Sequence, residues 1–355
     1  MRLLSTAIST SVAVALLAGC TGNASSPDSA TPGALGLAGL HGNPVSVIPQ
    51  KYLPARVKPM RGKVAPDFAR RGIYVSALLD THLYGFPKNN SGNEPPFCSV
   101  PATDVNGVGV DNSGNLIVPE GPSGITVWNG PAMCGKIQAP PVTITDPFGV
   151  AVDASAINAT TGNIAVANDF GLTVGPGSIA ICTLASGTCS TNLTNPNLAR
   201  GASVAMNSAG DCWTDGINGS EEAVLIYFAG CAGPGQLATR FINPADGGID
   251  IDSHGNLVTT SILGPFFTLP SVVYVYSGCN PACTLLSSTP LAGLSMYGHV
   301  GKQNSRYVTT DLLFADVEIY QYKKTGLTLL YSFTGGLPCA TDECESAAYD
   351  PASPK

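Results

Sequence analysis

Residues 248–260 read GIDIDSHGNLVTT, and close variants of this stretch recur along the chain, which is why it decides the fold. Two short strand-like runs, Ile249–Ile251 and Leu257–Thr260, flank a turn that contains Gly255 and Asn256. A period of two is typical of strands, and Gly and Asn adopt the backbone conformations that tight turns require. The segment therefore predicts a two-stranded hairpin.

The same pattern returns along residues 107–350 at spacings of 42 to 54 residues. Its copies are marked by Asp111, Asp153, Asn207, Asp252, a weaker position near Lys302, and Asp350. A third apolar run follows each of the first five copies: Ile125–Trp128, Ile179–Ile181, Val224–Phe228, Val272–Tyr276 and Val317–Tyr322. Units of about 40 to 50 residues with four strands each are typical of β-propeller blades. The sequence predicts an all-β, six-bladed propeller.

The last copy stops at Lys355 after supplying a single strand. Strand-like runs that would complete it lie at the other end of the repeats, in Gly72–Ser76, His82–Phe86 and around Phe97–Cys98. A blade that joins strands from both ends of the chain closes the ring and leaves no open sheet edge. The propeller is therefore predicted over 72–355, closed by strands from both termini.

The repeats resemble NHL repeats and, more loosely, the six-bladed senescence-marker/gluconolactonase superfamily. That superfamily implies a propeller that hosts many activities, so the resemblance predicts the fold rather than the function. Its enzymes hold a divalent metal partly through a Glu-Gly-Pro motif on an innermost strand. Glu120-Gly121-Pro122 has these residues but follows a second strand, so the metal-binding role is not transferred.

The N-terminus predicts export. Met1 and Arg2 precede an apolar run to Leu17, which is too short for a membrane-spanning helix and suits a signal peptide. Leu17-Ala18-Gly19-Cys20 resembles the lipobox of bacterial lipoproteins, which implies cleavage after residue 19 and lipidation of Cys20. The expected location is the cell envelope, with membrane contact through the N-terminal lipid. Because Thr21 rather than Asp follows the Cys, the outer membrane is favoured in a diderm cell.

Charge is distributed unevenly along the 355 residues. The linker 20–71 is rich in Gly, Pro, Ser and Ala and has seven basic and two acidic residues, net +5. Residues 72–355 have nine basic and 22 acidic residues, net −13. An acidic body lacks the cationic face that nucleic-acid phosphates need, so nucleic acid is excluded as a partner. The linker fits either contact with anionic head groups or a solubilising tether.

Eleven cysteines leave ten for disulfides once Cys20 is lipidated. An even number in an exported chain favours disulfides over metal or redox sites. The expected bridges are Cys98–Cys134, Cys182–Cys189, Cys212–Cys231, Cys279–Cys283 and Cys339–Cys344.

Candidate functional residues lie where a propeller opens on what we call the mouth face. This face carries the loops that enter the innermost strands and those that leave the second strands. The first kind of loop carries Asp104, Asp146, Arg200, Asp246, Tyr297 and Glu345; the second carries Asp80, Glu120, Asp169, Asp215 and Asp311. Converging carboxylates would repel one another, raise their own pKa values and attract cations. Each Asp could instead cap a turn.

Three functions remain open from the sequence. The first is a binding module whose acidic mouth face takes a protein or small-molecule ligand that is cationic or bridged by a metal. The second is a divalent-metal-dependent hydrolase, lactonase or lyase, with Ca²⁺ as the ion that carboxylates suit. His299, a polar insertion on an innermost strand, is a candidate ligand or base for it. The third is a scaffold in envelope assembly.

Overall fold

The computed structural model describes most of the propeller region predicted from the repeats. The described residues are 72–77, 82–88, 94–102, 105, 107–111, 114–128, 141–155, 162–171, 175–220, 222–239, 247–261, 270–295, 297–301, 305–311, 315–337 and 344–349. The predicted signal peptide, Cys20 and the linker lie outside them. No helix in these ranges is long and apolar enough to cross a membrane.

Within these ranges, 24 strands form six antiparallel units of four. Unit 1 contains β24 (Cys344–Tyr349), β1 (Gly72–Ala77), β2 (His82–Pro87) and β3 (Cys98–Pro101). Unit 2 contains β4 (Gly109–Val110), β5 (Leu116–Pro119), β6 (Ile125–Trp128) and β7 (Val142–Ile144). Unit 3 contains β8 (Gly149–Ala154), β9 (Asn163–Gly171), β10 (Ser178–Thr183) and β11 (Thr188–Thr194).

The other three units follow the same order from innermost to outermost strand. Unit 4 contains β12 (Arg200–Met206), β13 (Cys212–Ile217), β14 (Ala223–Phe228) and β15 (Gln236–Leu237). Unit 5 contains β16 (Ile249–Ile251), β17 (Leu257–Ser261), β18 (Val272–Ser277) and β19 (Thr284–Pro290). Unit 6 contains β20 (Tyr297–Gly301), β21 (Arg306–Asp311), β22 (Asp316–Lys323) and β23 (Gly326–Phe333). The predicted all-β propeller class is confirmed.

Unit 1 joins the two ends of the described chain. The C-terminal strand β24 pairs antiparallel with β1, from Ile73 opposite Tyr349 to Ala77 opposite Cys344. The same strand pairs parallel with β20 of unit 6, where Tyr297 faces Ser346. Units 1 and 6 therefore form one eight-stranded sheet through their innermost strands.

The innermost strands are composed of small and β-branched residues because they are crowded on every side. All six residues of β8, GVAVDA, are buried, whereas the outermost strand β19 is exposed or half-buried along its length. Apolar side chains of neighbouring units pack together between the sheets: Ala165 and Ile179 of unit 3 share a cluster with Val204 and Met206 of unit 4. Burial of this apolar surface is the main stabilising term.

Polar side chains on the innermost strands, or directly after them, bind the backbone of the next unit. Asp153 Oδ2 accepts a hydrogen bond from the Val204 amide at 3.0 Å, and Ser155 Oγ accepts one from Met206 at 3.0 Å. Two units further on, Asp250 Oδ2 accepts one from the Val300 amide at 2.8 Å. Between these pairs, Ser203 Oγ accepts one from the Ile249 amide at 2.9 Å. These residues are all buried, so each bond satisfies an amide that water does not reach.

The close approach of neighbouring units restricts side-chain size. A Cβ at Gly107 of unit 2 would lie 2.0 Å from Asp153 Oδ1 of unit 3. The Gly107 amide also donates to the Val152 carbonyl at 2.8 Å. Position 107 therefore requires glycine for a steric reason.

Three of the expected disulfides are present: Cys182–Cys189, Cys212–Cys231 and Cys279–Cys283. Cys98 and Cys344 are also disulfide-bonded. The partners expected for them, Cys134 and Cys339, lie outside the described residues. Each of the three described bridges lies within one unit, so they staple hairpins and do not link units.

Candidate functional site

Strand direction defines the mouth face. The parallel pairing of β20 with β24 shows that two neighbouring innermost strands run the same way, and each second strand runs antiparallel to its innermost strand. The starts of the innermost strands and the ends of the second strands therefore share an edge. Asp146, Asp169, Asp215 and Asp311 all lie at such positions. The opposite side, which carries the turns between first and second strands, is called the turn face here.

Asp169 and Arg200 form an ion pair across two units. Asp169 is near the end of β9 in unit 3, and Arg200 begins β12 of unit 4. The guanidinium donates to both carboxylate oxygens, from Nε at 2.8 Å and from Nη2 at 3.1 Å. Asp169 is buried whereas the Arg200 side chain is 38% exposed. This carboxylate is therefore neutralised by the protein, and Arg200 adds a cation to the mouth face.

Asp215 supports the contact between units 4 and 5. Its Oδ1 accepts hydrogen bonds from the Ser203 amide at 2.9 Å and from the Ser203 hydroxyl at 2.6 Å. The hydroxyl, oriented in this way, offers its oxygen to the Ile249 amide. Asp215 is 3% exposed and faces its own unit. It therefore has a structural role between paired strands, whereas the sequence offered only a ligand-attracting carboxylate or a turn cap.

Asp146 is buried before β8, and burial raises the pKa of its carboxyl. Three hydrogen bonds lower this pKa and so partly offset the effect of burial; they come from the Phe148 amide, the Asn168 side chain and the Gly149 amide. The Phe148 bond, to Oδ1 at 2.9 Å, is the Asx turn expected of an Asp ahead of a strand. Desolvation rather than repulsion between carboxylates causes this shift.

Asp311 lies in a cluster with two residues of β22, Asp316 and Glu318. Ligand oxygens of the three side chains lie within 4.8 Å of one another, and all three are at least 98% buried. Oxygens that share one Ca²⁺ at about 2.3–2.6 Å are at most about 5 Å apart, so the spacing is compatible with a shared ion. Asp311 Oδ1 also accepts from the Leu294 amide at 3.3 Å, and Glu318 Oε2 from the Tyr320 hydroxyl at 2.6 Å.

His299 lies on β20 beside the contact between units 5 and 6. Its Nδ1 is 3.8 Å from Asp250 Oδ2, and its side chain is 12% exposed. The same Asp250 oxygen accepts the Val300 amide. His299 is therefore close to the bond that joins these units and does not belong to the cluster around Asp311.

The other predicted residues of the mouth face lie apart from the cluster around Asp311 or outside the described residues. Glu120 is half-buried after β5, and Tyr297 donates from its hydroxyl to the Ala202 carbonyl at 3.2 Å. Asp80, Asp104 and Asp246 lie outside the described residues, as does the side chain of Glu345.

Sequence reasoning missed Asp316, Glu318 and Glu222. The first two alternate at the start of a third strand, where Asp316 is the register partner of the predicted Asp311 and Glu318 faces Thr309. Their period-two spacing could have placed them on one side of the sheet. Glu222 is exposed in the loop between β13 and β14, which leaves the second strand and so belongs to the mouth face.

No protein-family model and no curated protein sequence matches the chain. Solved structures match its fold. A chain from the crystal structure of a nidogen/laminin complex aligns with a TM-score of 0.57 at 10% identity, covering 80% of this chain and 99% of that one. A putative TolB from Agrobacterium tumefaciens aligns with a TM-score of 0.50 at 13% identity over the same shares. At these identities the similarity shows the propeller fold alone.

The raised pKa of Asp146 predicts a stability change with pH. A carboxyl whose pKa is higher in the folded than in the unfolded chain favours folding while protonated and loses that contribution as pH rises through the folded value. Asp146→Asn stays neutral and can still accept the Phe148 amide. We expect the variant to have a higher melting temperature than the native protein at pH 7. The difference in melting temperature should be smaller at pH 4, where the native carboxyl is more fully protonated.

Asp169→Asn is the matched control because it also neutralises one buried carboxylate of the mouth face. Since it breaks the ion pair with Arg200, it should lower the melting temperature at pH 7. Thermal denaturation followed by circular dichroism at both pH values measures the two variants. Destabilisation by Asp146→Asn at pH 7 would show that its ionised form is needed for folding.

Proposed function

We propose that the chain is a cell-envelope lipoprotein, anchored through Cys20, whose propeller is a non-catalytic module that binds a protein partner on the mouth face. The observation that supports this proposal is that the mouth face, defined by strand direction, keeps two carboxylates at the surface: Glu222 of unit 4 is exposed and Glu120 of unit 2 is half-buried. A net charge of −13 over residues 72–355 favours a partner whose contact surface is cationic. Loops on a rigid scaffold are a common place for binding residues, and the exposed parts of the mouth-face loops fit that role.

Exposure suggests which carboxylates serve recognition, since Glu222 also accepts a hydrogen bond, from Asn218 Nδ2 at 2.9 Å. Asp169 is paired with Arg200 and Asp215 holds Ser203, so both have structural roles. Glu222 is exposed, and Glu120 is half-buried at the end of β5. Rim charges of this kind change association rates and salt dependence more than they change final affinity. The partner is therefore expected to bind more slowly as ionic strength rises.

The fold similarity is consistent with a binding role. The first of the matching structures comes from a nidogen/laminin complex, an assembly of proteins. It shows that a chain of this fold is found in a protein complex. The lipid anchor, predicted from Leu17–Cys20, would hold the mouth face within reach of partners in the envelope.

Site-specific photo-cross-linking tests which face binds. Ser220 and Ser208 are exposed serines of unit 4: Ser220 is in the loop after β13, on the mouth face, and Ser208 is in the turn before β13, on the turn face. A photoreactive phenylalanine at position 220 in the full chain, expressed in its own cell envelope, should give a discrete cross-linked protein adduct. The same amino acid at position 208 should not.

Positions 208 and 220 are matched in residue type, exposure and unit. A difference in cross-linking between them therefore shows which face the partner contacts. The adduct at position 220 should also decrease when salt is added before irradiation, because the partner is attracted by charge. No adduct at 220, or equal adducts from both positions, would contradict the proposal.

A divalent-cation site, with or without hydrolase, lactonase or lyase activity, is the second candidate. The observation that favours it is the cluster of Asp311, Asp316 and Glu318, three buried carboxylates with the spacing that a hard cation needs. Bound Ca²⁺ would supply the positive charge that offsets the cost of bringing these groups together. Asp311, at the end of β21, would then be its link to the mouth face.

Calcium titration separates this candidate from the first. If the cluster binds Ca²⁺, a 100-fold excess over Kd stabilises the full chain by about 2.7 kcal/mol. Asp316→Asn, which keeps the shape of the side chain, should remove most of the resulting rise in melting temperature. Glu222→Gln, which removes an exposed carboxylate outside the cluster, should leave the rise intact. Equal rises in both variants, or none in the native chain, would rule out the site.

A further inference from the structure

A cavity opens on the turn face at the junction of units 5 and 6, on the opposite side from the acidic mouth face. Its volume is about 540 Å³. The turn between β16 and β17 and the turn between β22 and β23 form its two sides, with β19 between them. The residues that define it are Asp252, His254, Leu286, Tyr322, Lys323 and Lys324.

The floor of this cavity is rigid, and its carboxylate is already saturated with donors. Asp252 is 1% exposed. Its Oδ1 accepts from the amides of His254 and Asn256, each at 2.9 Å. Its Oδ2 accepts from Asn256 Nδ2 at 2.8 Å and from the Tyr322 hydroxyl at 3.0 Å. Because four protein donors surround the Asp252 carboxylate, its negative charge is compensated within the protein and repels an anionic ligand only weakly.

The wall of the cavity is cationic. Lys323 and Lys324 are both exposed and form no ion pair among the described residues. They are the only adjacent basic pair in residues 72–355, a segment of net charge −13. The His254 side chain, 74% exposed, stands across from them as a third nitrogen donor. Both lysines line the cavity, so its wall presents two positive charges within a segment whose net charge is negative.

The preceding junction, between units 4 and 5, is closed differently. The hairpin between β18 and β19 carries the Cys279–Cys283 bridge and lies against unit 4, where Trp213 Nε1 donates to the Cys279 carbonyl at 2.6 Å. The corresponding hairpin of unit 6 has no cysteine and carries Lys323 and Lys324 instead. The cavity is thus a local departure from the repeat and does not follow from the propeller architecture.

The geometry points to a binding site for a phosphate monoester in this cavity. A phosphate monoester carries about −1.5 to −2 charges near pH 7 and three acceptor oxygens. Two ammonium groups match that charge better than they would match the single charge of a carboxylate ligand. Leu286, 40% exposed beside the lysines, offers an apolar contact for the carbon portion of the ester. The phosphate would come either from a soluble ester or from a lipid head group.

Isothermal titration calorimetry of the full chain in a neutral detergent tests the site, with glycerol 3-phosphate as the probe and glycerol as the uncharged comparison. The native chain should bind glycerol 3-phosphate at one site and should not bind glycerol. Lys323→Gln/Lys324→Gln should weaken binding by about tenfold or more, the scale expected when charge-assisted hydrogen bonds are lost. Lys88→Gln, which removes a positive charge away from the cavity, should leave the affinity within about twofold.

A second arm identifies the source of the phosphate. The chain is placed in nanodiscs of phosphatidylcholine alone or with phosphatidic acid. If the lipid head group fills the cavity, phosphatidic acid will compete with glycerol 3-phosphate; if the ligand is soluble, both nanodiscs will give the same affinity. The site would be overturned by the absence of saturable glycerol 3-phosphate binding, or by binding that Lys323→Gln/Lys324→Gln leaves as strong as Lys88→Gln does.

Discussion

The propeller depends on one interaction: the innermost strand of each unit must satisfy the backbone of the next. These strands are buried, so water does not replace a lost partner. Asp153, Ser203 and Asp250 accept amide hydrogen bonds from the following unit, and β24 completes the series by pairing with both β1 and β20. The small residues of the repeat let the strands approach closely enough for these bonds.

The same constraint decides which acidic residues remain for function. Asp215 stabilises Ser203, and Asp169 joins two units through Arg200, so both are committed to the ring. The residues that remain available for binding lie in the loops and at positions where a unit departs from the repeat. On the mouth face these are Glu222 and the cluster around Asp311; on the turn face, the lysine pair of unit 6.

The strands were predictable because each repeat alternates apolar residues about a Gly-containing turn; the runs predicted at 125–128 and 224–228 fall within β6 and β14. Side-chain pairing was less predictable. The pattern D-x-x-G-N shows where a turn lies, but not that Asp169 will meet an Arg 31 residues later. Asp316 and Glu318 were missed because candidates were sought only in loops next to the first and second strands, whereas both residues lie on a third strand. The lysine cavity depends on contacts between two units, which no single repeat reveals.

Native-state hydrogen exchange tests the central claim, that the strand from the C-terminal end closes the ring. If β24 is an integral part of it, the slowest amides of 344–349 exchange only through global unfolding, with the same opening free energy as those of β12, 200–206. Exchange of 344–349 at a clearly lower free energy, while 200–206 stays protected, would show that β24 opens independently and would contradict closure through unit 1.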